Sequence, residues 1–145
     1  MPTFTSVRID DRFDCAIEKA WPLFADFEGM PKVVAGCYDV TATGSGEGMI
    51  RHVPVDQRFT DERLELMDHE AHRVIYSVVN WHETVMFRHY TAQMHLTPAG
   101  PDACNFMWRS HFAVLDGVDP ESVRQTLLGA YRNAIAGFKA ALAKR

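Results

Sequence analysis

Three charged side chains stand where an alternating sequence directs them into the interior of the protein. Arg51, Glu62 and Arg88 each have mostly apolar neighbours two residues away. Because side chains of a strand alternate between two faces, this phase predicts that all three face inward. Buried charges cost several kcal/mol per ion unless they are paired. Arg51 and Glu62 lie on consecutive predicted strands, so we expect them to pair, either as a structural ion pair or to orient a ligand.

Aromatic side chains with polar tips follow the same phase. Tyr76 and Tyr90 lie on predicted strands, Trp108 lies on the strand with the clearest alternation, and Tyr131 lies on a C-terminal helix. A buried phenol or indole N–H needs a hydrogen-bond partner, so these residues are candidates for ligand contact as well as for ordinary core packing. The ligand-binding candidates are Arg51, Glu62, Tyr76, Arg88, Tyr90, Trp108, Leu127 and Tyr131.

The same groups could carry acid/base catalysis without a cofactor. Glu62, Tyr90 or His82 would move a proton, and Arg51 or Arg88 would stabilise an enolate. His82 lies on a predicted loop at the mouth of the interior. That loop is either a lid or an ordinary exposed connection.

Spacings typical of metal sites are missing from the sequence. His82 and Glu83 begin an HExxH pattern, but Met86 stands where its second histidine belongs. The three cysteines are far apart and form no CxxC. We therefore expect no metal, no disulfide framework and no cofactor.

Composition places the chain among folded single domains. Its 145 residues are 47% hydrophobic and 23% charged, which fits one domain over residues 1–145. The net charge of −4 gives no general attraction to nucleic acid. No segment approaches the roughly 18 apolar residues of a membrane span, and the first ten residues lack the apolar core of a signal peptide. We expect a cytoplasmic monomer or homodimer without membrane insertion.

Periodicity divides the chain into strands flanked by helices. Strands are predicted over 3–13, 36–43, 49–55, 57–67, 73–80, 84–97 and 104–114. A short helix over 15–27, capped by Asp14 and interrupted by Pro22, follows the first strand, and a second lies near 31–35. The C-terminal helix begins with Asp119 as its cap and Pro120 at the first helical position, a favourable arrangement.

The order of these elements predicts an α+β architecture. Consecutive strands joined by short turns form an antiparallel sheet. The apolar stripe of the C-terminal helix must lie on the inner face of that sheet. We therefore predict a strongly curved sheet of about seven strands around one long helix, with two short helices after the first strand. We also expect a cavity between sheet and helix.

The order and spacing of several segments resemble a known superfamily. Phe-Asp-Cys-Ala-Ile-Glu-Lys-Ala-Trp at 13–21 resembles an Ile-x-Ala-Pro-x-Glu-x-Val-Trp opening, and Asp26 matches the aspartate that follows it. Gly-Met-Ile-Arg at 48–51 resembles its Gly-x-x-Arg motif. Segments 60–70 and 76–79 are similar to the plant abscisic-acid receptor branch. The chain thus resembles the START-like, or Bet v 1-like, superfamily with its helix-grip fold, and within it the polyketide cyclase/dehydrase and lipid-transport group.

The resemblance implies a fold that holds a mainly apolar small molecule. Glu62 matches a glutamate of the receptor branch's ligand-facing network, and Tyr90 matches a ligand-facing tyrosine. The receptor's gate and latch sequences are replaced at 53–58 and 80–85, and its ligand-binding lysine is missing from 34–35, so a hormone receptor is not expected. We expect a carrier or sensor of a small hydrophobic or aromatic metabolite. The alternative is a cyclase, aromatase or dehydratase that uses the same cavity.

Overall fold

An antiparallel sheet and a long C-terminal helix organise the computed structural model, which describes residues 3–55, 58–84 and 86–145. The strands are β1 Thr3–Phe13, β2 Thr41–Thr43, β3 Ile50–Val55, β4 Arg58–Asp68, β5 Arg73–Val78, β6 Phe87–Pro98 and β7 Cys104–Val114. The helices are α1 Ile17–Ala25 and α2 Pro120–Ala143, with 3-10 turns at Met30–Val33 and Trp81–Glu83. The strand order β1-β7-β6-β5-β4-β3-β2 confirms the predicted helix-grip, α+β fold.

Local patterns set most of the element boundaries. The bounds predicted for β1 and β7 are confirmed, and the Asp119 side chain caps α2 by accepting a hydrogen bond from the backbone N–H of Glu121. Asp14 was predicted to cap α1, but Ala16 occupies the cap position without a side-chain bond. β2 begins only at Thr41, later than predicted. The predicted starts of β4 and β6 include residues 57 and 85, which lie outside the described residues.

The inner face of the sheet packs on the apolar stripe of α2. Phe106 of β7 meets Phe138 of α2 edge to face, with ring centroids 6.1 Å apart. Phe24 of α1 contacts the same two rings, at 5.2 Å and 5.1 Å between centroids. The core therefore lies between the sheet, α1 and α2. Among the described helices, none is long and apolar enough to cross a membrane.

A bulge in β6 reverses the phase of that strand. The register passes from Arg88↔Ala113 to Thr91↔His111, so β6 contains one extra residue there. Such a bulge turns the preceding side chains to the opposite face. Phe87 is accordingly buried together with Tyr90. The inward orientation predicted for Arg88 is wrong for this reason.

A second bulge has the same effect in β4. The register passes from Leu64↔Tyr76 to Leu66↔Ile75. Beyond the bulge Met67 lies opposite the fully buried Val74 and packs against the core. Alternation continued from Glu62 and Leu64 would put Leu66 on the inner face, and the bulge puts Met67 there instead.

One glycine permits the close approach of α2 to the first 3-10 turn. A Cβ on Gly137 would lie 2.5 Å from the carbonyl oxygen of Val33 and 3.2 Å from the Cα of Val34. Both are backbone atoms, so they have little freedom to move aside. Gly129, two turns earlier, has open space where its Cβ would be. The chain thus needs glycine at 137 for packing, and has no such need at 129.

Candidate functional site

A buried ion pair joins β3 to β4 on the inner face of the sheet. Arg51 and Glu62 are direct cross-strand partners, which confirms the predicted pairing. The Arg51 Nε donates to Glu62 Oε1 at 2.8 Å. Arg51 is only 2% exposed, and the Glu62 side chain is 15% exposed. Removing either partner would leave a charge in a poorly solvated place.

Aromatic rings and a backbone carbonyl complete the surroundings of Arg51. Its Nη1 donates to the carbonyl oxygen of Phe27 at 2.8 Å. The guanidinium carbon lies 3.9 Å from the centroid of the Phe27 ring and 4.9 Å from that of Tyr76, a cation–π arrangement on two rings. A guanidinium carries five N–H donors. Among the described residues, the bonds to Glu62 and Phe27 use two of them.

A hydrogen-bonded row of side chains, here called the tyrosine network, crosses the interior. The Trp108 indole N–H donates to the Tyr76 hydroxyl at 3.2 Å, and the Tyr76 and Tyr90 hydroxyls lie 3.5 Å apart. The hydroxyls of Tyr90 and Tyr131 are hydrogen bonded, and Tyr131 donates to Ser110 Oγ at 2.8 Å. The row therefore links β5, β6, β7 and α2 through buried polar groups.

Burial keeps the phenols of the network protonated. It raises the pKa of Tyr76 and of Tyr90 well above the usual value, because a phenolate would lose its hydration there. Burial likewise raises the pKa of Tyr131 to about 12, against the lowering effect of its bonds with Ser110 and Tyr90. Near neutral pH these side chains are therefore neutral hydroxyls that donate and accept hydrogen bonds.

Stacked rings fill the space where the sequence predicted a cavity. The Trp108 and Tyr131 rings lie nearly parallel, with centroids 3.9 Å apart and an interplanar angle of 14°. Tyr90 stacks on Phe112 at 6.2 Å beside them. Around these rings, side chains occupy the described part of the interior between β7 and α2. At these rings the expected cavity is therefore closed.

Two openings lie elsewhere on the described surface. The larger, of about 550 Å³, has an apolar part made by Phe27, Met49, Leu64 and Met67 and a more polar part made by Asp26, Glu28, His69 and the 44–47 loop, which includes Glu47. The smaller, of about 330 Å³, lies near the C-terminal end of α2.

The larger opening reaches close to the ion pair. Met49 and Leu64 each stand two residues from a member of the pair and on the same face, roughly 7 Å along the strand. Phe27 lines the opening, and its ring contacts the Arg51 guanidinium. Phe27 is thus shared by the opening and the surroundings of the ion pair.

Three of the predicted site residues belong neither to the ion pair nor to the tyrosine network. Arg88 Nη1 donates to the carbonyl oxygens of Thr84 and Phe87, both at 2.9 Å. Its guanidinium carbon lies 4.9 Å from the centroid of the Trp81 ring. His82 is exposed in the second 3-10 turn. Leu127 is half-buried on α2 and packs against the core.

Sequence reasoning missed two contributors. Ser110 ends the tyrosine network, and its position as the polar residue among the apolar inner-face residues of β7 was a usable signal. The carbonyl of Phe27 carries no signal in the sequence, because a backbone group acquires this role only through tertiary structure.

Solved structures share this fold at low sequence identity. A protein from Bacillus thuringiensis described as uncharacterised has a TM-score of 0.84 at 17% identity, over 96% of this chain and 99% of that one. Norcoclaurine synthase from Thalictrum flavum, in complex with dopamine and hydroxybenzaldehyde, has a TM-score of 0.77 at 15% identity, over 99% and 89%. The Zhui aromatase/cyclase from Streptomyces has 0.73 at 17% identity, over 98% and 93%.

A match to a family model identifies the family more specifically than these structural similarities do. No curated protein matches the chain. The family described as polyketide cyclase / dehydrase and lipid transport matches residues 4–143, nearly the whole chain. The chain therefore belongs to the polyketide cyclase/dehydrase and lipid-transport family.

Proposed function

We propose that the chain binds a small hydrophobic or aromatic molecule that carries a polar group, as a carrier or sensor. The observation that carries this proposal is the buried Arg51–Glu62 pair beside the tyrosine network, within an otherwise apolar core. Replacing a buried ion pair by apolar residues is often neutral or stabilising, so folding alone gives little reason for the pair.

The contacts of Arg51 support recognition of a polar group. Two of its five N–H donors are used by Glu62 and Phe27 among the described residues, so a ligand carbonyl, hydroxyl or acid could accept from the others. Glu62 binds Arg51 through one oxygen, and its second oxygen is suited to accept from a ligand hydroxyl. The pair thus offers donors and an acceptor side by side.

The opening of about 550 Å³ supplies a place for the apolar part of the ligand. Its volume lies within the roughly 300–1,000 Å³ of small-molecule sites. Met49, Leu64 and Met67 give it an apolar wall. Phe27 both lines the opening and contacts Arg51, so we place the ligand's polar group at the ion pair, with the Phe27 ring shifted to admit it.

Two fluorescent probes test this arrangement. The anion 8-anilinonaphthalene-1-sulfonate and the neutral N-phenyl-1-naphthylamine are titrated into wild type, Glu62→Gln and Glu65→Gln. Glu62→Gln removes the charge that competes for Arg51, so we expect the anion to bind about fivefold or more tightly, while the neutral probe is unchanged. Glu65, exposed on the same strand, is the matched control, and its variant should bind both probes like wild type.

Two outcomes would contradict the carrier proposal. One is that neither probe binds the wild type. The other is that Glu62→Gln, folded by circular dichroism, changes the affinity for the anion no more than Glu65→Gln does.

Catalysis by the same groups is the second candidate. Glu62 is a carboxylate whose charge raises the pKa of the Tyr76 and Tyr131 phenols, which burial already keeps protonated. A base and an acid are thus close together. Glu62 would take an α-proton from a ketone while Arg51 holds the enolate oxygen, and a tyrosine would protonate a leaving hydroxyl, so that water is lost. The family description, cyclase and dehydrase, fits this chemistry.

Exchange of the α-protons of acetophenone in D₂O, followed by NMR, tests the first step. An enzyme should accelerate the exchange, and Glu62→Gln should lower that acceleration by about 10²-fold or more. Equal rates for wild type, Glu62→Gln and Glu65→Gln would exclude Glu62 as the base and leave the carrier proposal standing.

A further inference from the structure

The outer face of the sheet carries a hydrogen-bonded row that neither proposed function uses. Thr43 Oγ1 lies 3.1 Å from His52 Nε2, and His52 Nδ1 lies 2.7 Å from Asp61 Oδ1. His52 and Asp61 are direct partners in the β3–β4 register. They neighbour Arg51 and Glu62 in sequence, so they occupy the opposite face.

Hydrogen-bond chemistry gives this row a direction when the imidazole is neutral. A carboxylate only accepts, so the proton on the histidine must be at Nδ1, donated to Asp61. The Nε2 of the neutral imidazole is then an acceptor, and the Thr43 hydroxyl donates to it. The order is hydroxyl, base, and carboxylate that orients the base, which is the arrangement of an activated nucleophile.

The surroundings hold the base and leave the hydroxyl accessible. The side chains of His52 and Asp61 are 30% and 29% exposed, whereas Thr43 is exposed. Asn80 accepts from the backbone N–H of Asp61 at 2.8 Å and donates to the carbonyl of Phe59 at 2.8 Å, which fixes the strand under the carboxylate. Thr43 ends β2, the edge strand of the sheet, so a substrate can approach from the open side.

We propose that Thr43 is a nucleophile activated by His52 and Asp61, and that this face accepts acyl groups from small activated carboxylic esters and hydrolyses them. The Thr43 oxygen attacks the carbonyl carbon as His52 Nε2 takes its proton. The ester C–O bond breaks, and the alcohol leaves with that proton, so an acyl-threonine remains. Water then attacks the acyl group, His52 takes its proton and returns it to the Thr43 oxygen, and the carboxylic acid leaves.

The shallow outer face suits a small substrate. Thr43, His52 and Asp61 line neither of the two openings described above. Binding there contributes little, and the rate enhancement rests on general-base activation, typically 10²–10⁴-fold. We therefore expect measurable turnover of reactive aryl esters.

Hydrolysis of p-nitrophenyl acetate by the intact protein tests the proposal. The wild type should release a burst of up to one equivalent of p-nitrophenol, and peptide mapping should place one acetyl group on Thr43. Thr43→Val keeps the β-branched shape and should abolish the burst. His52→Gln and Asp61→Asn should slow acylation by about tenfold or more. Thr41→Val, on the same edge strand, is the matched control and should behave like wild type.

The mapping of the wild type decides the question even if a variant folds poorly. Acetyl groups found only on lysines, histidines or the N-terminus would overturn the proposal and leave the row as a support for β2. An unchanged burst in Thr43→Val would do the same. Both results are independent of probe binding at Arg51.

Discussion

Replacing Tyr131 by phenylalanine separates the hydrogen bonds of the tyrosine network from its ring packing. The phenylalanine ring keeps the stack on Trp108, whose centroid lies 3.9 Å away. What is lost is the hydroxyl that donates to Ser110 at 2.8 Å and is bonded to Tyr90. The variant therefore changes polar contacts in a core of nearly constant shape.

The size of the effect follows from the burial of Ser110. Each lost hydrogen bond removes about 1 kcal/mol of net stability. Ser110 is 0% exposed, so its oxygen keeps no water as a substitute, and a buried orphan group costs about 1–3 kcal/mol. We expect Tyr131→Phe to lower the free energy of unfolding by about 2–4 kcal/mol.

A second substitution sharpens the prediction. Ser110→Ala in the Tyr131→Phe background removes the orphan hydroxyl, so the double variant should be about 1 kcal/mol more stable than Tyr131→Phe alone. Urea titration followed by tryptophan fluorescence measures all variants, and an unchanged m-value shows that the denatured state is comparable. A Tyr131→Phe protein within about 0.5 kcal/mol of wild type, or a double variant less stable than the single, would refute the reasoning.

Three further outcomes are expected. Gly137→Ala should destabilise the protein because the new Cβ would lie 2.5 Å from a backbone oxygen, whereas Gly129→Ala in the same helix should stabilise it by up to about 1 kcal/mol. Thermal unfolding compares the two variants. Stability changes of the same sign in both would contradict the packing argument. Glu62→Ala should cost about 3–5 kcal/mol and exposed Glu65→Ala about 0.5 kcal/mol or less in urea titrations, with equal losses counting against a buried pair. Above pH 10 a phenol of the unfolded chain loses its proton, whereas folded Tyr131 keeps its proton up to about pH 12. The folded state then binds more protons, so the free energy of unfolding should fall as the pH rises. Tyr131→Phe should show a smaller fall, and a pH dependence identical to that of wild type would argue against the raised pKa.

Much of the architecture follows from local sequence patterns. The alternation in β7 predicts its bounds, and Asp119 with Pro120 predicts where α2 begins. The Arg51–Glu62 pair was predictable too, because both residues share a phase and lie on consecutive strands. These features depend on contacts between neighbours in sequence or on adjacent strands.

Bulges are the part of the sheet that periodicity misses. After the bulge in β6, Tyr90, Ala92, Met94 and Leu96 follow one clear phase. Continued back through the bulge, this phase would put Arg88 inside, whereas Phe87 is the buried residue. The extra residue is set by hydrogen bonding with β7, which a single strand's pattern does not contain.

The filled interior is likewise a tertiary property. Whether a cavity remains beneath α2 depends on the side-chain angles of Trp108 and Tyr131, which stack face to face. A small change in helix position would separate the rings. Sequence reasoning predicted which aromatic residues face inward, but it could not predict how closely they meet.

The extra residue in β6 affects how relatives should be aligned with this chain. His89, with a φ of +56°, takes up the surplus length, so a homologue without the bulge would lack one position here. A gap placed before Arg88 would match Arg88 with an inward residue of that homologue, and a gap placed further along β6 would match Tyr90 with an outward residue. Site residues should therefore be transferred along β6 only after the gap is set at the surplus position.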